Sequence, residues 1–151
     1  MRGRHWLFAG GVLSALASLL HLGCIAFGAA WFRFFGAPEP LIVGYENGDM
    51  QLVWMTAAIA VILAIWAVYG FAGAGWTRRP PLLRTGLIAI AAIYLARGVL
   101  LIPALIRAPY PRSEFDIWSS AVVLVCGLTY AIGTWRAWPV LGQAGAQTAS
   151  A

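Results

Sequence analysis

Charge is scarce in this sequence, and lysine is absent from it. Only 10% of the 151 residues are charged, whereas about a quarter of the residues in a soluble domain are charged. Hydrophobic residues make up 62% of the chain. This composition excludes a soluble globular domain and indicates a protein that is solvated by lipid. All ten Lys and Arg residues of the sequence are arginines. We interpret the absence of lysine as a compositional bias.

The sequence also lacks the residue patterns of several functional classes. Its two cysteines, Cys24 and Cys126, do not form a CxxC pair, so the thiol chemistry of membrane oxidoreductases is not expected. His5 and His21 do not have the spacing of metal ligands, and the sequence contains no Gly-rich phosphate loop. We predict no metal site, no cofactor and no catalytic residues, and these absences argue against an enzyme.

Four long apolar runs organise the chain. We predict transmembrane helices over about 6–32, 52–75, 86–106 and 117–138. Each run provides about the 20 residues that a helix needs to cross the hydrocarbon core of a bilayer. The predicted fold class is all-α, with a single four-helix integral membrane bundle that occupies the whole chain, 1–151.

The few charges are divided between two kinds of polar segment. All five acidic residues lie in two connectors, and the first of these holds Glu39, Glu46 and Asp49. The other polar segments contain six arginines and no acid. These six are Arg2, Arg4, Arg78, Arg79, Arg84 and Arg136. Because cytoplasmic segments carry the excess of arginine and lysine, we predict that both termini are cytoplasmic. The basic residues therefore set the topology, and we predict no nucleic-acid partner.

Small and polar residues form stripes along three of the predicted helices. In membranes such residues mark the faces on which helices meet. The first stripe consists of Gly10, Ser14, Ala17, His21, Cys24 and Gly28. The second helix carries Ala57, Ala60, Ala64 and Ala67, and the fourth carries Ser119, Val123, Cys126 and Tyr130. We predict that these faces pack against one another inside the bundle.

Arg97 lies about 16 Å into the third predicted span, near the bilayer centre. A charged side chain is costly at this depth, and no acidic residue lies within any predicted span. Its partners are expected to be carbonyls of neighbouring helices, in a structural role, or an anion or polar headgroup, in a binding role. Tyr94 shares its helix face, and His21 lies about one turn nearer the outer side. We predict that Arg97, His21 and Tyr94 form a ligand-binding site.

Three short stretches carry a resemblance to known proteins. The segment 67–76, the motif Arg-Arg-Pro-Pro-Leu-Leu-Arg at 78–84 and the motif Tyr-Leu-Ala-Arg-Gly at 94–98 resemble uncharacterised small four-helix proteins of the bacterial inner membrane. The resemblance implies a location as a multi-pass protein of that membrane, and it implies no activity.

The functional prediction is a binding or accessory protein with a mid-membrane polar site for a lipid headgroup or a small anion. Membrane lipid and a small anionic ligand are the predicted partners. The alternative is a small transporter or channel subunit, in which the same residues line a path that is completed by homo-oligomerisation. The two differ in one requirement, since a transporter needs polar groups that continue from the site to both membrane surfaces.

Overall fold

Six helices make up the fold. The computed structural model describes residues 3–107 and 114–142, and within these ranges it contains no β-strand. The helices are α1 (Arg4–Phe27), α2 (Ala29–Phe34), α3 (Glu39–Glu46), α4 (Gln51–Ala74), α5 (Leu83–Arg107) and α6 (Glu114–Gly142). The predicted all-α fold class is confirmed. Part of the predicted connector between the third and fourth spans, at 108–113, lies outside the described residues.

Three segments are long and apolar enough to cross a membrane. They are α1, α4 and the part Ile117–Gly142 of α6. Large apolar side chains cover the outward faces of these helices, including Leu16, Leu19, Ile62, Ile65, Val122 and Val125, each at least 45% exposed. A helix on the surface of a soluble protein would instead carry polar side chains on that face. The surface of these three helices is therefore suited to contact with lipid.

The four long helices share one buried cluster. α4 packs mainly on α1, α5 packs mainly on α6, and α1 and α6 contact each other. The cluster includes Leu7 of α1, Leu63 of α4, Leu87 of α5 and Tyr130 of α6. Residues from four separate parts of the sequence therefore form a common interior, and polar groups placed there are shielded from the surroundings.

Glycines allow a close backbone contact between α1 and α4. A Cβ atom added to Gly70 would lie 2.7 Å from the Cα atom of Gly11 and 2.9 Å from the carbonyl oxygen of Leu7. Both atoms belong to the backbone of α1, so they cannot move aside as a flexible side chain would. The two helices can approach to this distance because position 70 carries no side chain.

The predicted stripes differ in how well they match the buried faces. The α1 stripe is buried or half-buried along its whole length, as is the α6 stripe. On α4, Ala60 and Ala67 are buried, but Ala57 is half-buried and Ala64 is exposed. Alanine fits both a lipid-facing and a helix-facing position, so its pattern alone does not define the rotation of this helix.

The first predicted helix, 6–32, is divided in the structure. α1 ends at Phe27, and Gly28 has a φ of 74° and a ψ of −150°, a conformation that favours glycine. After this break, α2 and α3 fold across the end of α1 and the start of α4. Residues 29–46, which we call the outer cap after their predicted side of the membrane, bury a second cluster that contains Phe32 and Ile42 together with Cys24 and Leu52.

Candidate functional site

A cluster of three hydroxyl groups lies in the interior, roughly midway along the long helices. The Ser14 Oγ of α1 is 2.9 Å from the Tyr94 Oη of α5 and 3.2 Å from the Tyr130 Oη of α6. Tyr130 Oη is also 2.7 Å from the backbone oxygen of Trp66 in α4. We call Ser14, Tyr94 and Tyr130 the hydroxyl cluster. It links all four long helices by hydrogen bonds.

The chemistry of these groups sets the direction of each hydrogen bond. The Trp66 carbonyl can only accept, so Tyr130 donates its proton to it. Ser14 must then donate to Tyr130, and Tyr94 must donate to Ser14. The chain therefore runs from Tyr94 through Ser14 and Tyr130 to the Trp66 carbonyl, and every hydroxyl proton in it is used.

Aromatic rings enclose the hydroxyl cluster. The ring of Trp66 meets that of Tyr94 edge-on, with a centroid distance of 4.7 Å, and the rings of Tyr94 and Tyr130 stack at 5.9 Å. Tyr130 and Ser14 are fully buried, and Tyr94 is 6% exposed. The depth is about 15 Å from the start of α1 and about 16 Å from the start of α5, at 1.5 Å per residue. The arrangement is a buried, neutral polar centre whose hydroxyl groups are all hydrogen-bonded.

Of the predicted site residues, Tyr94 is the one that belongs to this cluster. His21 is half-buried, and its Nδ1 lies 2.7 Å from the backbone oxygen of Ala17, one turn earlier in α1. Because a carbonyl oxygen only accepts, His21 holds a proton on Nδ1, and in the neutral form its Nε2 is an acceptor. His21 is therefore oriented by its own helix.

Arg97 lies on the surface of α5. Its side chain is exposed, whereas Tyr94, three residues earlier, is buried. Within the described part of the chain, no hydrogen bond joins any two of Arg97, His21 and Tyr94. The structure thus places Tyr94 in the interior, His21 at a half-buried position on α1 and Arg97 on an outward face, and their grouping in one ligand site remains a prediction.

Sequence reasoning assigned Ser14 and Tyr130 to packing stripes and did not predict the hydroxyl cluster. The signal was present, because both residues carry a hydroxyl on a face that was predicted to be buried. A buried hydroxyl needs a hydrogen-bond partner, and Ser14 and Tyr130 are hydrogen-bonded to each other. The packing of all four helices decides which helix supplies the partner of each hydroxyl. The stripes predict the buried face of a single helix and not its neighbours.

The outer cap contains the ion pairs of the described residues. Arg33 of α2 donates from Nη1 and Nη2 to the two carboxylate oxygens of Glu46, at 2.9 Å each, and from Nε and Nη2 to Glu39. These hydrogen bonds from Arg33 lower the pKa of the Glu46 carboxyl below its usual value. Arg33 thus links α2 to the first and the last residue of α3 by ion pairs, on an exposed surface.

Metal ligands and reactive thiols are not concentrated anywhere in the described ranges. No group of three or more His, Cys, Asp or Glu side chains is placed to hold a metal ion in residues 3–107 and 114–142. Cys24 and Cys126 are both buried and free, and they belong to different clusters. Neither cysteine is exposed to a reaction partner at the surface.

Comparisons with protein-family models, with curated proteins and with solved structures found no match.

Proposed function

We propose that this chain is an integral protein of a bacterial inner membrane that acts as a binding or accessory protein for an anionic group. In this proposal α1, α4, α5 and α6 all cross the membrane as a four-helix bundle, and both termini are cytoplasmic. α5 has 25 residues, about 37 Å of helix, which exceeds the roughly 30 Å of a hydrocarbon core. The arginine-rich segments before α1, between α4 and α5 and at the end of α6 support this orientation.

The observation that carries the proposal is the exposure of Arg97 on α5. It lies about 21 Å from the start of the helix, close to the middle of its length. A charged group at that depth requires a counter-group, and none of the predicted spans contains an acidic residue. An exposed side chain is directed away from the interior of its own bundle. The counter-anion of Arg97 is therefore expected from outside the chain, from a lipid headgroup or a small anion.

The other two predicted site residues support this role indirectly. Tyr94 is committed to Ser14 and fixes the rotation of α5, which places Arg97 on the outward face. Neutral His21 keeps an acceptor nitrogen, Nε2, on the outer half of α1, which can accept from a hydroxyl of a lipid headgroup but not from an anionic oxygen. In this proposal Arg97 is the ligand-binding residue, Tyr94 is a positioning residue, and His21 is a secondary polar contact.

The transporter alternative has less support from the geometry. A path requires polar groups that remain available to a moving solute, whereas the polar groups of α1 are used in hydrogen bonds between helices. Ser14 bonds to the two tyrosines, and Ser18 donates to the Ala60 carbonyl of α4 at 2.8 Å. These bonds stabilise the packing of α1 on its neighbours.

Native mass spectrometry tests the proposal. The full chain is purified in a mild detergent with its co-purified lipids and small molecules, and the wild type is compared with Arg97→Gln. We expect an anionic species bound to the wild type and lost from the variant. Arg78→Gln is the matched control, because Arg78 lies in the connector between α4 and α5, outside the spans. It should retain the bound species.

The folded state of each variant is checked by circular dichroism. If the wild type and Arg97→Gln carry the same adducts and the variant unfolds at a lower temperature, Arg97 is a structural residue and the binding proposal is wrong. Loss of the anionic species from a folded Arg97→Gln protein, with retention in Arg78→Gln, would identify the ligand class directly from its mass.

A further inference from the structure

A cavity lined by arginines lies at the end of the molecule where α1 begins and where α4 and α6 end. Its volume is about 370 Å³, within the range of about 300–1,000 Å³ that is usual for ligand pockets. Arg4 at the start of α1, Arg79 after α4 and Arg136 in α6 all line it, and none of its lining residues is acidic. We call it the arginine cavity.

The backbone around the arginine cavity holds Arg4 in place. The Arg4 Nε donates to the carbonyl oxygen of Ala74 at 2.6 Å, at the last residue of α4. Gly75 follows in the left-handed conformation, with a φ of 80°. A Cβ atom at Gly75 would collide with the Arg4 guanidinium. Glycine at position 75 thus allows the left-handed conformation that ends α4, and it leaves space for the Arg4 guanidinium.

The start of α1 adds to the positive potential of the cavity. Gly3 is the N-cap of α1 and also lines the cavity, and no side chain of the described residues caps the first turn. The N–H groups of a first helical turn carry partial positive charge and favour an anion. Three arginines and an uncapped helix start therefore line one space, and none of the described lining residues carries a carboxylate.

The arginines at this end of the molecule differ in their surroundings. Arg78 and Arg84 belong to the same arginine-rich end, but neither lines the cavity. Arg84 donates to the Trp138 carbonyl at 2.8 Å and stacks on the Trp138 ring, with its Cζ atom 4.5 Å from the ring centroid. Arg84 thus contacts Trp138 within the protein, whereas Arg79 and Arg136 are among the residues that line the cavity.

We infer that the arginine cavity binds a phosphate group. The planar fork of a guanidinium matches two phosphate oxygens, and arginine is the usual residue where that geometry matters. The phosphate could be carried by the headgroup of an anionic phospholipid in the adjacent leaflet or by a soluble phosphate compound. This site is separate from Arg97, which lies near the middle of α5, and the inference does not depend on the proposed function.

Calorimetric titration of the full chain in a neutral detergent tests the inference. The probes are dihexanoyl phosphatidylglycerol, a soluble lipid with an anionic headgroup, and inorganic phosphate, with dihexanoyl phosphatidylcholine as the zwitterionic comparison. Binding of phosphatidylglycerol without binding of phosphate assigns the site to a lipid headgroup. Binding of inorganic phosphate assigns it to a soluble phosphate compound.

Variants decide whether the cavity is the site. Arg79→Gln and Arg136→Gln should each weaken the binding of the active probe about tenfold, since each removes a charge-assisted hydrogen bond. Arg78→Gln is the matched control, with the same charge change one residue away, and it should bind like the wild type. The inference is wrong if Arg78→Gln weakens binding as much as Arg79→Gln, if phosphatidylcholine binds as tightly as phosphatidylglycerol, or if no probe binds.

Loss of folding is separated from loss of binding by a conservative variant. Arg79→Lys retains the positive charge but not the fork of two N–H groups. It should bind the active probe several-fold more weakly than the wild type, with an unchanged unfolding temperature. Binding equal to that of the wild type would show that Arg79 contributes charge alone, and it would overturn the assignment of a specific phosphate site.

Discussion

The hydroxyl of Tyr130 makes two hydrogen bonds, whereas that of Tyr94 makes one. Tyr130 donates to the Trp66 carbonyl and accepts from Ser14, while Tyr94 donates to Ser14. Hydrogen bonds between helices in membranes contribute about 0.6 kcal/mol on average and up to about 1.7 kcal/mol. Removal of the Tyr130 hydroxyl also leaves the fully buried Ser14 with a single hydrogen bond, to Tyr94, in this cluster. The two tyrosines should therefore differ in their contribution to stability.

Tyr130→Phe should lower the free energy of unfolding by about 1–2 kcal/mol, and Tyr94→Phe by about half as much. The measurement is reversible unfolding in sodium dodecyl sulfate, followed by circular dichroism. Tyr69→Phe is the control, because the Tyr69 hydroxyl donates to the Pro81 carbonyl at an exposed position. If Tyr130→Phe has no larger effect than Tyr69→Phe, the hydroxyl cluster does not stabilise the fold.

Single residues could be selected from the sequence by their chemistry, but their neighbours could not. Arg97 is recognisable because a charge in an apolar run is unusual, and Tyr94 is one turn away from it on the same helix. Yet Tyr94 is buried and Arg97 is exposed. Two residues three positions apart on a helix differ by about 60° in direction, which is enough to place them on opposite sides of a packing boundary.

At the scale of helices, the contact between Gly11 and Gly70 limits how closely α1 and α4 pack. Gly70→Ala would place a methyl group against the α1 backbone. We expect a loss of about 1–3 kcal/mol in the free energy of unfolding, as for other overpacked contacts. Reversible unfolding in sodium dodecyl sulfate, followed by circular dichroism, measures this loss.

Gly44→Ala is the matched control for this substitution. Gly44 lies within α3, and the nearest atom to an added Cβ would be Asp49 Oδ2, at an ordinary distance of 3.5 Å. Since alanine favours a helix over glycine, this variant should be neutral or more stable by about 0.5–1 kcal/mol. Equal losses in the two variants would show that the α1–α4 contact is not the cause.

The outer cap should respond to acid because Arg33 lowers the pKa of Glu46 in the folded protein. A carboxyl with a lowered folded-state pKa stabilises the fold above its unfolded-state value, about 4.3, and loses that stabilisation as the pH falls. The unfolding temperature of the wild type should therefore decrease more from pH 7 to pH 4 than that of Glu46→Gln. Circular dichroism in a non-ionic detergent measures both. Identical pH dependence would exclude a stabilising role for this ion pair.

The number of helices exceeds the number of apolar runs for a physical reason. The run 6–32 is apolar throughout except for His21, and hydropathy does not register a break in the backbone. Gly28 ends α1 through a positive φ, and the following residues fold back because Phe32 and Ile42 can be buried there. A glycine within an apolar run is also common in continuous membrane helices, so this break was not predictable from residue type alone.

At the scale of the whole molecule, the charged side chains that the structure describes lie at two opposite ends, except for Arg97 on α5. The end where α1 begins carries Arg4 and Arg136 at the arginine cavity and Arg84 beside Trp138. The opposite end carries the outer cap, where Arg33 meets Glu39 and Glu46. The apolar surfaces of α1, α4 and α6 lie between these ends. This distribution could be predicted from the sequence because the sign of each polar segment is a local property of the chain.

The number of times the chain crosses the membrane decides the side on which it ends. If α5 crosses together with the three apolar segments, the four crossings return the C-terminus to the cytoplasm, where the arginines favour it. A full-length fusion to green fluorescent protein should then fluoresce, and a full-length fusion to alkaline phosphatase should be inactive. A phosphatase fusion after Gly48, in the connector that follows α3, should be active. Active phosphatase at both positions would mean that two of α4, α5 and α6 cross the membrane rather than three, which would contradict the four-crossing proposal that places Arg97 in the membrane interior.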